Sequence, residues 1–348
     1  MKNIIKLTLL SMVFMAASCS NGGEATETKA DKTPEVKSVL ETAQKFFATL
    51  PTEAINKNNP LNESKIALGK ALYHDNRLSN DQTQSCNTCH PISTYGVDNN
   101  PTSAGDNGGF GNRNSPTTFN AALHISQFWD GRNADVEEQA GGPILNPVEM
   151  AMPSEAAVIK RIKEVPEYVE LFAAAFPDDK KSMTYKNLTY AIGAFERTLL
   201  TPSAFDKYIA GDETAISEQA KQGLNDFIET GCTQCHSGAL LGGNMLMKFG
   251  LFADYWEHTK SPIIDSGKYH VTGAAADMYI FKVPSLRNID KTGPYFHDGS
   301  VKSLENAIQI MAITQNNKEL SIDQVKNIEV FLSTLTGDIP NEALINNK

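Results

Sequence analysis

Two copies of Cys-x-x-Cys-His, at Cys86-Asn87-Thr88-Cys89-His90 and Cys232-Thr233-Gln234-Cys235-His236, constrain this chain more than anything else in it. Two thiols three residues apart can add to the two vinyl groups of one porphyrin, and the adjacent histidine then ligates the iron from below. Each motif therefore attaches one haem c and supplies one axial ligand. Two other readings fail on spacing and setting. A zinc ribbon places its cysteine pairs about 15–20 residues apart, whereas Cys89 and Cys232 are far more distant. A thioredoxin-like pair follows a strand in an α/β unit, and neither motif has that setting.

The start of the chain bears on where such chemistry happens. Met1-Lys2-Asn3-Ile4-Ile5-Lys6 precedes an apolar run from Leu7 to Ala17, then Ser18-Cys19. A basic start, a short apolar stretch and small residues describe a secretory signal over 1–18, too short to span a membrane. The small-small-Cys ending is similar to a bacterial lipoprotein signal, although Met15 stands where Leu is common. Cys19 would then carry the lipid. Ordinary cleavage nearby is the alternative, but it leaves a fifth, unpaired cysteine in a secreted protein. Residues 20–34 are polar and lack large apolar groups, so they build no core. A tether is expected over 19–50, and the periplasm or cell envelope is the expected location.

The whole-chain charge of −10 becomes about −12 once Lys2 and Lys6 leave with the signal. That balance argues against nucleic acid and favours steering of a basic partner.

The exported part carries an internal repeat. Pro116-Thr117-Thr118-Phe119-Asn120 leads to Phe128-Trp129-Asp130-Gly131, and Pro284-Ser285-Leu286-Arg287-Asn288 leads to Phe296-His297-Asp298-Gly299. Proline to glycine is fifteen residues in both. Helical periodicity is read over 64–74, 154–176 (broken at Pro166), 185–200, 217–230, 303–312 and 321–335. Ser303 and Ser321 are the expected N-caps of the last two. The stretches 96–116 and 238–243, rich in Gly, Asn and Pro, read as loops around haem edges. The expected fold is mostly α, with two cytochrome c-like domains, each binding one covalent haem c, over 51–200 and 201–348.

The sixth iron position separates electron transfer from chemistry on peroxide. In the second half, Met311 is the candidate, with a core methionine as the alternative reading. Register places Pro143 where Met311 falls, and the first half offers no equivalent Met or His. Instead it has Glu138-Gln139-Ala140 and Val148-Glu149-Met150. A carboxylate and an amide beside an open iron can do acid–base work. Glu149 reads equally well as a helix-start or surface charge.

From about Asn62 to Leu335 the chain resembles the bacterial dihaem cytochrome c peroxidases and their MauG-like relatives. The resemblance rests on both haem motifs, Gln127-Phe128-Trp129-Asp130-Gly131-Arg132, Glu138-Gln139-Ala140, Val148-Glu149-Met150, Val283-Pro284-Ser285-Leu286-Arg287-Asn288 and Pro294-Tyr295-Phe296-His297-Asp298-Gly299. It implies that Glu149 is the catalytic acid–base, with Gln139 beside it. It implies that Trp129 relays electrons between haems (a core aromatic being the other reading) and that Met311 ligates the second iron. It further implies one calcium ion, held by Asn114 and the backbone oxygens of Thr292 and Pro294. The implied reaction is reduction of hydrogen peroxide to water by two electrons from a soluble cytochrome c or cupredoxin-type donor. Homodimers occur among such proteins, by analogy only.

One departure stands out. Many members have a histidine in the loop after the first haem motif, capping that iron until the other haem is reduced. Here Asp106 lies near that place, and His124, the only histidine between His90 and His236, belongs to another stretch. The expectation is a first haem that needs no reductive activation. The other readings are a MauG-like oxidase acting on a protein, which Met311 in place of tyrosine disfavours, and a non-catalytic dihaem carrier, which needs two six-coordinate irons.

Overall fold

The computed structural model describes residues 38–344. The expected signal and Cys19, the expected site of the lipid, lie outside them. Thirteen α-helices and one two-stranded antiparallel sheet form the described part. They are α1 (Val39–Ala43), α2 (Glu63–Tyr73), α3 (Cys86–Cys89), α4 (Val136–Leu145), α5 (Glu155–Lys163), α6 (Pro166–Ala175), α7 (Tyr185–Glu196), α8 (Ala204–Ile209), α9 (Glu218–Thr230), α10 (Tyr255–Thr259), α11 (Tyr269–Thr272), α12 (Leu304–Asn316) and α13 (Ile322–Ser333). Strands β1 (Leu246–Lys248) and β2 (Ile280–Lys282) pair between α9 and α12.

The helix ends follow local chemistry. Ser303 and Ser321 cap α12 and α13 as expected, each accepting the N–H three residues on. Pro166 opens α6 at its first turn, where a missing N–H costs nothing. The β1–β2 pair was not foreseen, because three-residue strands are too short to show alternation.

Two hydrophobic cores organise the helices. In the first, Leu68 and Leu72 of α2 meet Leu188, Ile192 and Phe195 of α7. In the second, Leu224 and Phe227 of α9 meet Ile328, Phe331 and Leu332 of α13. In both, the helix that leads to a haem motif crosses a later helix at very short range. A Cβ on Gly69 would fall 1.8 Å from Ala191 O, and one on Gly223 would fall 1.9 Å from Asn327 O. Only glycine lets these backbones touch.

The ends of the described segment cross over. Leu40, Ala43 and Phe47 are buried in the second core, while Ala343 is buried in the first. Leu50 N–H also donates to Asp206 in the second half. Residues 39–50, read as the end of the tether, instead pack against the second half through apolar residues that 20–34 lacks. Likewise, the C-terminal stretch belongs partly to the first core.

The repeat is structural. Asn120 and Asn288 share a left-handed backbone (φ 60° for both), as do Phe128 and Phe296 (64° and 71°) and Gly131 and Gly299 (70° and 62°). Both asparagine side chains donate to the hydroxyl of buried Thr201, at 2.8 and 2.9 Å.

Arg113 joins the halves. Its guanidinium donates to Asp265 through Nε (2.6 Å) and Nη2 (3.0 Å) and to Asp130 through Nη1 (2.6 Å). Both carboxylates are buried. Removing one partner of a buried pair leaves uncompensated charge, at a cost of about 3–5 kcal/mol. Arg113→Met is therefore expected to lower the melting temperature. The pairing holds the Asp265 carboxyl below its ordinary 3.8, so its stabilisation is present above the unfolded value and lost as pH falls through the lowered one. Melting curves from pH 7 to pH 3 check this: the variant should show less acid sensitivity than the wild type, and equal slopes would remove Arg113 from this role.

Candidate functional site

The sequence of each half places a thiol pair and a histidine at the wall of a cavity. The first cavity, about 400 Å³, is lined by Cys86, Cys89 and His90. The second, about 230 Å³, is lined by Cys232, Cys235 and His236. α3 carries the first pair, and a single 3₁₀ turn, Cys232–Gln234, opens on Cys232 and is closed by Cys235.

The two histidines are held alike. His90 Nδ1 donates to Gly96 O at 3.1 Å, and His236 Nδ1 donates to Leu241 O at 2.9 Å. A carbonyl at Nδ1 fixes the tautomer and leaves Nε2 with a lone pair for iron. The accepting carbonyls come from the loops expected at 96–116 and 238–243. Burial lowers both imidazole pKa values, keeping them neutral, which is the form that ligates. Thiols, neutral imidazoles and largely apolar walls suit two haem c groups.

The cavities differ at one matched position. Pro143 and Met311 are each the eighth residue of their helices, α4 and α12. Pro143 lines the first cavity and Met311 the second. Proline has no donor atom for a metal, whereas a thioether does.

Glu149 and Gln139 both face the first cavity. Asn146 Nδ2 donates to Glu149 Oε1 at 3.0 Å. Burial raises the Glu149 pKa above its ordinary value, against the opposing pull of Arg132 and the Asn146 bond. Arg132 also lines this cavity, stacked on Phe128 with its guanidinium carbon 3.4 Å from the ring centroid.

Trp129 lines both cavities. Its Nε1 donates to Asn114 O at 2.9 Å, and its ring meets His297 edge-on at 6.4 Å. Trp129 and His297 are matched positions of the repeat, so the two copies touch at this pair. Asn114, Thr292 and Pro294 all line the second cavity. Asn114 Nδ2 donates to Asn100 O and Pro101 O, so its amide nitrogen is engaged on the side away from any ligand to its Oδ1.

Asp106 is turned away from the first cavity. Its carboxylate accepts from Asp81 N and Thr83 Oγ1, each at 2.5 Å, and its own N–H donates to Glu149 O at 2.6 Å. The loop is thereby fastened to the segment that carries Glu149.

Several lining residues escaped the sequence reading. His270 of α11 reaches the mouth of the first cavity from the second half, 59 % exposed and 3.6 Å from Asp265. Met150 lines the same cavity from within the first core. Glu196, fully buried there, is pushed up to about 8 by burial and by Glu137. His124 and Lys282 line the second cavity. Only tertiary contacts bring in His270, Glu196 and Lys282, which no spacing in the sequence marks, whereas Met150 ends the Val148-Glu149-Met150 motif and His124 lies just before Gln127. Glu137, adjacent to the Glu138-Gln139 motif, is taken up instead by a buried two-bond pairing with Arg197 (2.7 and 2.6 Å).

Comparison with known proteins agrees with this geometry. A family model described as di-haem cytochrome c peroxidase matches residues 63–214. The cytochrome c551 peroxidase of Pseudomonas aeruginosa is 43% identical over 300 residues, covering 86% of each chain. That of Nitrosomonas europaea is 44% identical over 295 residues, covering 84% of this chain and 86% of the relative. Among solved structures, a MauG-like protein associated with microbial copper homeostasis superposes with a TM-score of 0.75 at 27% identity, covering 86% of this chain and 97% of that one. Identity sustained across both halves, together with a paired arrangement of thiols and histidines, means that this chain belongs to the dihaem cytochrome c peroxidase family.

Proposed function

We propose that the protein reduces hydrogen peroxide to water, consuming two electrons and two protons per peroxide, and that its first site needs no prior reduction. The observation that carries this is the contrast at one register position, Pro143 against Met311, beside a buried Glu149. When bound, the haems supply a peroxide-accepting iron at His90 and an electron-storing iron at His236 and Met311. Glu149 would take the proton from one peroxide oxygen and return it to the departing oxygen, with Asn146 holding its carboxylate and Gln139 alongside. Trp129, on both cavities, would carry electrons from the second site to the first. The donor is a small redox protein of cytochrome c or cupredoxin type, and the acidic mature chain favours a basic face on it. Met311 on the second cavity favours peroxide reduction over MauG-like modification of a protein.

Glu149→Gln is expected to lower peroxide turnover by about 10²–10⁴-fold while both haems remain attached. In the wild type, kcat/KM should fall on acidification with a midpoint above 4.5, the ordinary glutamate value. The base form is lost as pH drops through the raised pKa, and the variant should lack that limb. Turnover equal to the wild type would remove Glu149 from the reaction.

Constitutive readiness is supported by the fastening of Asp106 to Asp81 and Thr83, which leaves the loop after the first motif no ligating side chain toward His90. The fully oxidised protein should show a high-spin ferric signal by EPR that vanishes as soon as peroxide is added. Two low-spin signals, inert until half-reduction, would overturn the idea and direct attention to His270 or Met150.

A calcium ion between Asn114 Oδ1, Thr292 O and Pro294 O suits a hard cation that takes oxygen donors. Chelation with EGTA is expected to lower the melting temperature and slow turnover, with recovery on adding calcium; no change in either would dismiss the ion. Export and lipid attachment at Cys19 complete the reading. The mass of the mature protein from a bacterial envelope tests them: a diacylated Cys19 start is expected, and an unmodified start elsewhere would refute the anchor.

A further inference from the structure

The wall of the second cavity has charge of one sign. Among the described residues lining it are Lys248 and Lys282, and neither Asp nor Glu. Lys282 is only 6% exposed. Burial pulls its pKa down to about 7, and Asp130 is the acid that opposes this. Asp130 is already engaged, however, by Arg113 at 2.6 Å and Arg132 at 2.9 Å. An ammonium buried this deeply wants an anion of its own.

The other neighbour of Lys282 is no anion. Its Nζ lies 2.9 Å from Nδ1 of His124. When Lys282 donates there, the imidazole proton sits on Nε2. That Nε2 is buried and has no hydrogen-bond partner among the described residues. It lies beside Gly243, where even a Cβ would come within 3.2 Å of it. The ammonium protons left over and one imidazole N–H are thus donors at the wall of a largely apolar cavity, and among the described residues no carboxylate lines that cavity to accept them.

We propose that Lys282 and His124 form a clamp for a carboxylate of the haem held by Cys232, Cys235 and His236. This rests on the reading that the second cavity binds haem c. The thioether edge of that group is set by the two cysteines, and its two propionates are the carboxylates it brings into a cavity lined by no acid. The clamp also touches the electron route. The Lys282 backbone N–H donates to Trp129 O at 2.7 Å, so the residue that holds the carboxylate also fastens the indole between the cavities. Lys282 and His124 are positioning residues in this role.

The test uses the full-length holoprotein, with haem counted first by pyridine haemochrome and each reduction midpoint then followed by absorbance. Lys282→Gln should lower the midpoint of the second haem, because an uncompensated carboxylate favours ferric iron, while the first midpoint stays unchanged. Lys282→Arg should restore the wild-type value. His124→Leu should give a smaller drop, and His124→Gln, which keeps an N–H donor, should give less still. If Lys282→Gln loads only one haem, loading restored in Lys282→Arg supports the clamp and loading lost equally in both overturns it. Second midpoints at the wild-type value in both Lys282→Gln and His124→Leu would also overturn it. A wild-type chain carrying fewer than two haems would instead refute the underlying reading.

Discussion

The contact between Arg113 and two buried aspartates decides how this molecule works as one body. Asp130 comes from the first copy of the repeat and Asp265 from the second half, and one guanidinium satisfies both. A buried carboxylate with no such partner would be costly, so the two halves are held in one relative arrangement at this point. Asp130 is adjacent to Trp129, and Asn114, the residue after Arg113, accepts the indole N–H. Electrostatic pairing and the position of the aromatic bridge are therefore a single feature. A shift of Arg113 would move the side chain that borders both cavities.

Around that junction the fold uses one plan twice and differentiates by single residues. Matched helices carry Pro143 in one half and Met311 in the other. Matched turns carry Trp129 and His297, which meet ring to ring. The backbone is indifferent to these choices, since both turns keep the same left-handed conformations. The chemistry is not: a thioether donates to iron and a pyrrolidine does not. The fold is thus a scaffold, and side chains rather than backbone make the two cavities chemically different.

The cavities also differ in electrostatic character. The first contains Glu149, Glu196 and Asp130 with Arg113 and Arg132, a mixture suited to holding and moving protons. The second lacks carboxylates among its described lining and contains Lys248, Lys282 and the buried nitrogen of His124. An apolar, cationic wall favours retention of a group that is itself flat, apolar and acidic at one edge.

Much was legible from residue order alone. The two haem motifs, the repeat, the helix caps at Ser303 and Ser321 and the contrast of Pro143 with Met311 all depend on short spacings or on matched register, which a linear sequence preserves. Tertiary structure alone decided the rest. It carried residues 39–50 into the second core, turned Asp106 toward Thr83, brought His270 to the first cavity and set Lys282 against His124. Each of these joins groups distant along the chain, and their meeting is determined by which apolar faces bury each other and which charges must find partners. A sequence states which chemical groups exist and their local spacing; only packing determines which of them share a cavity.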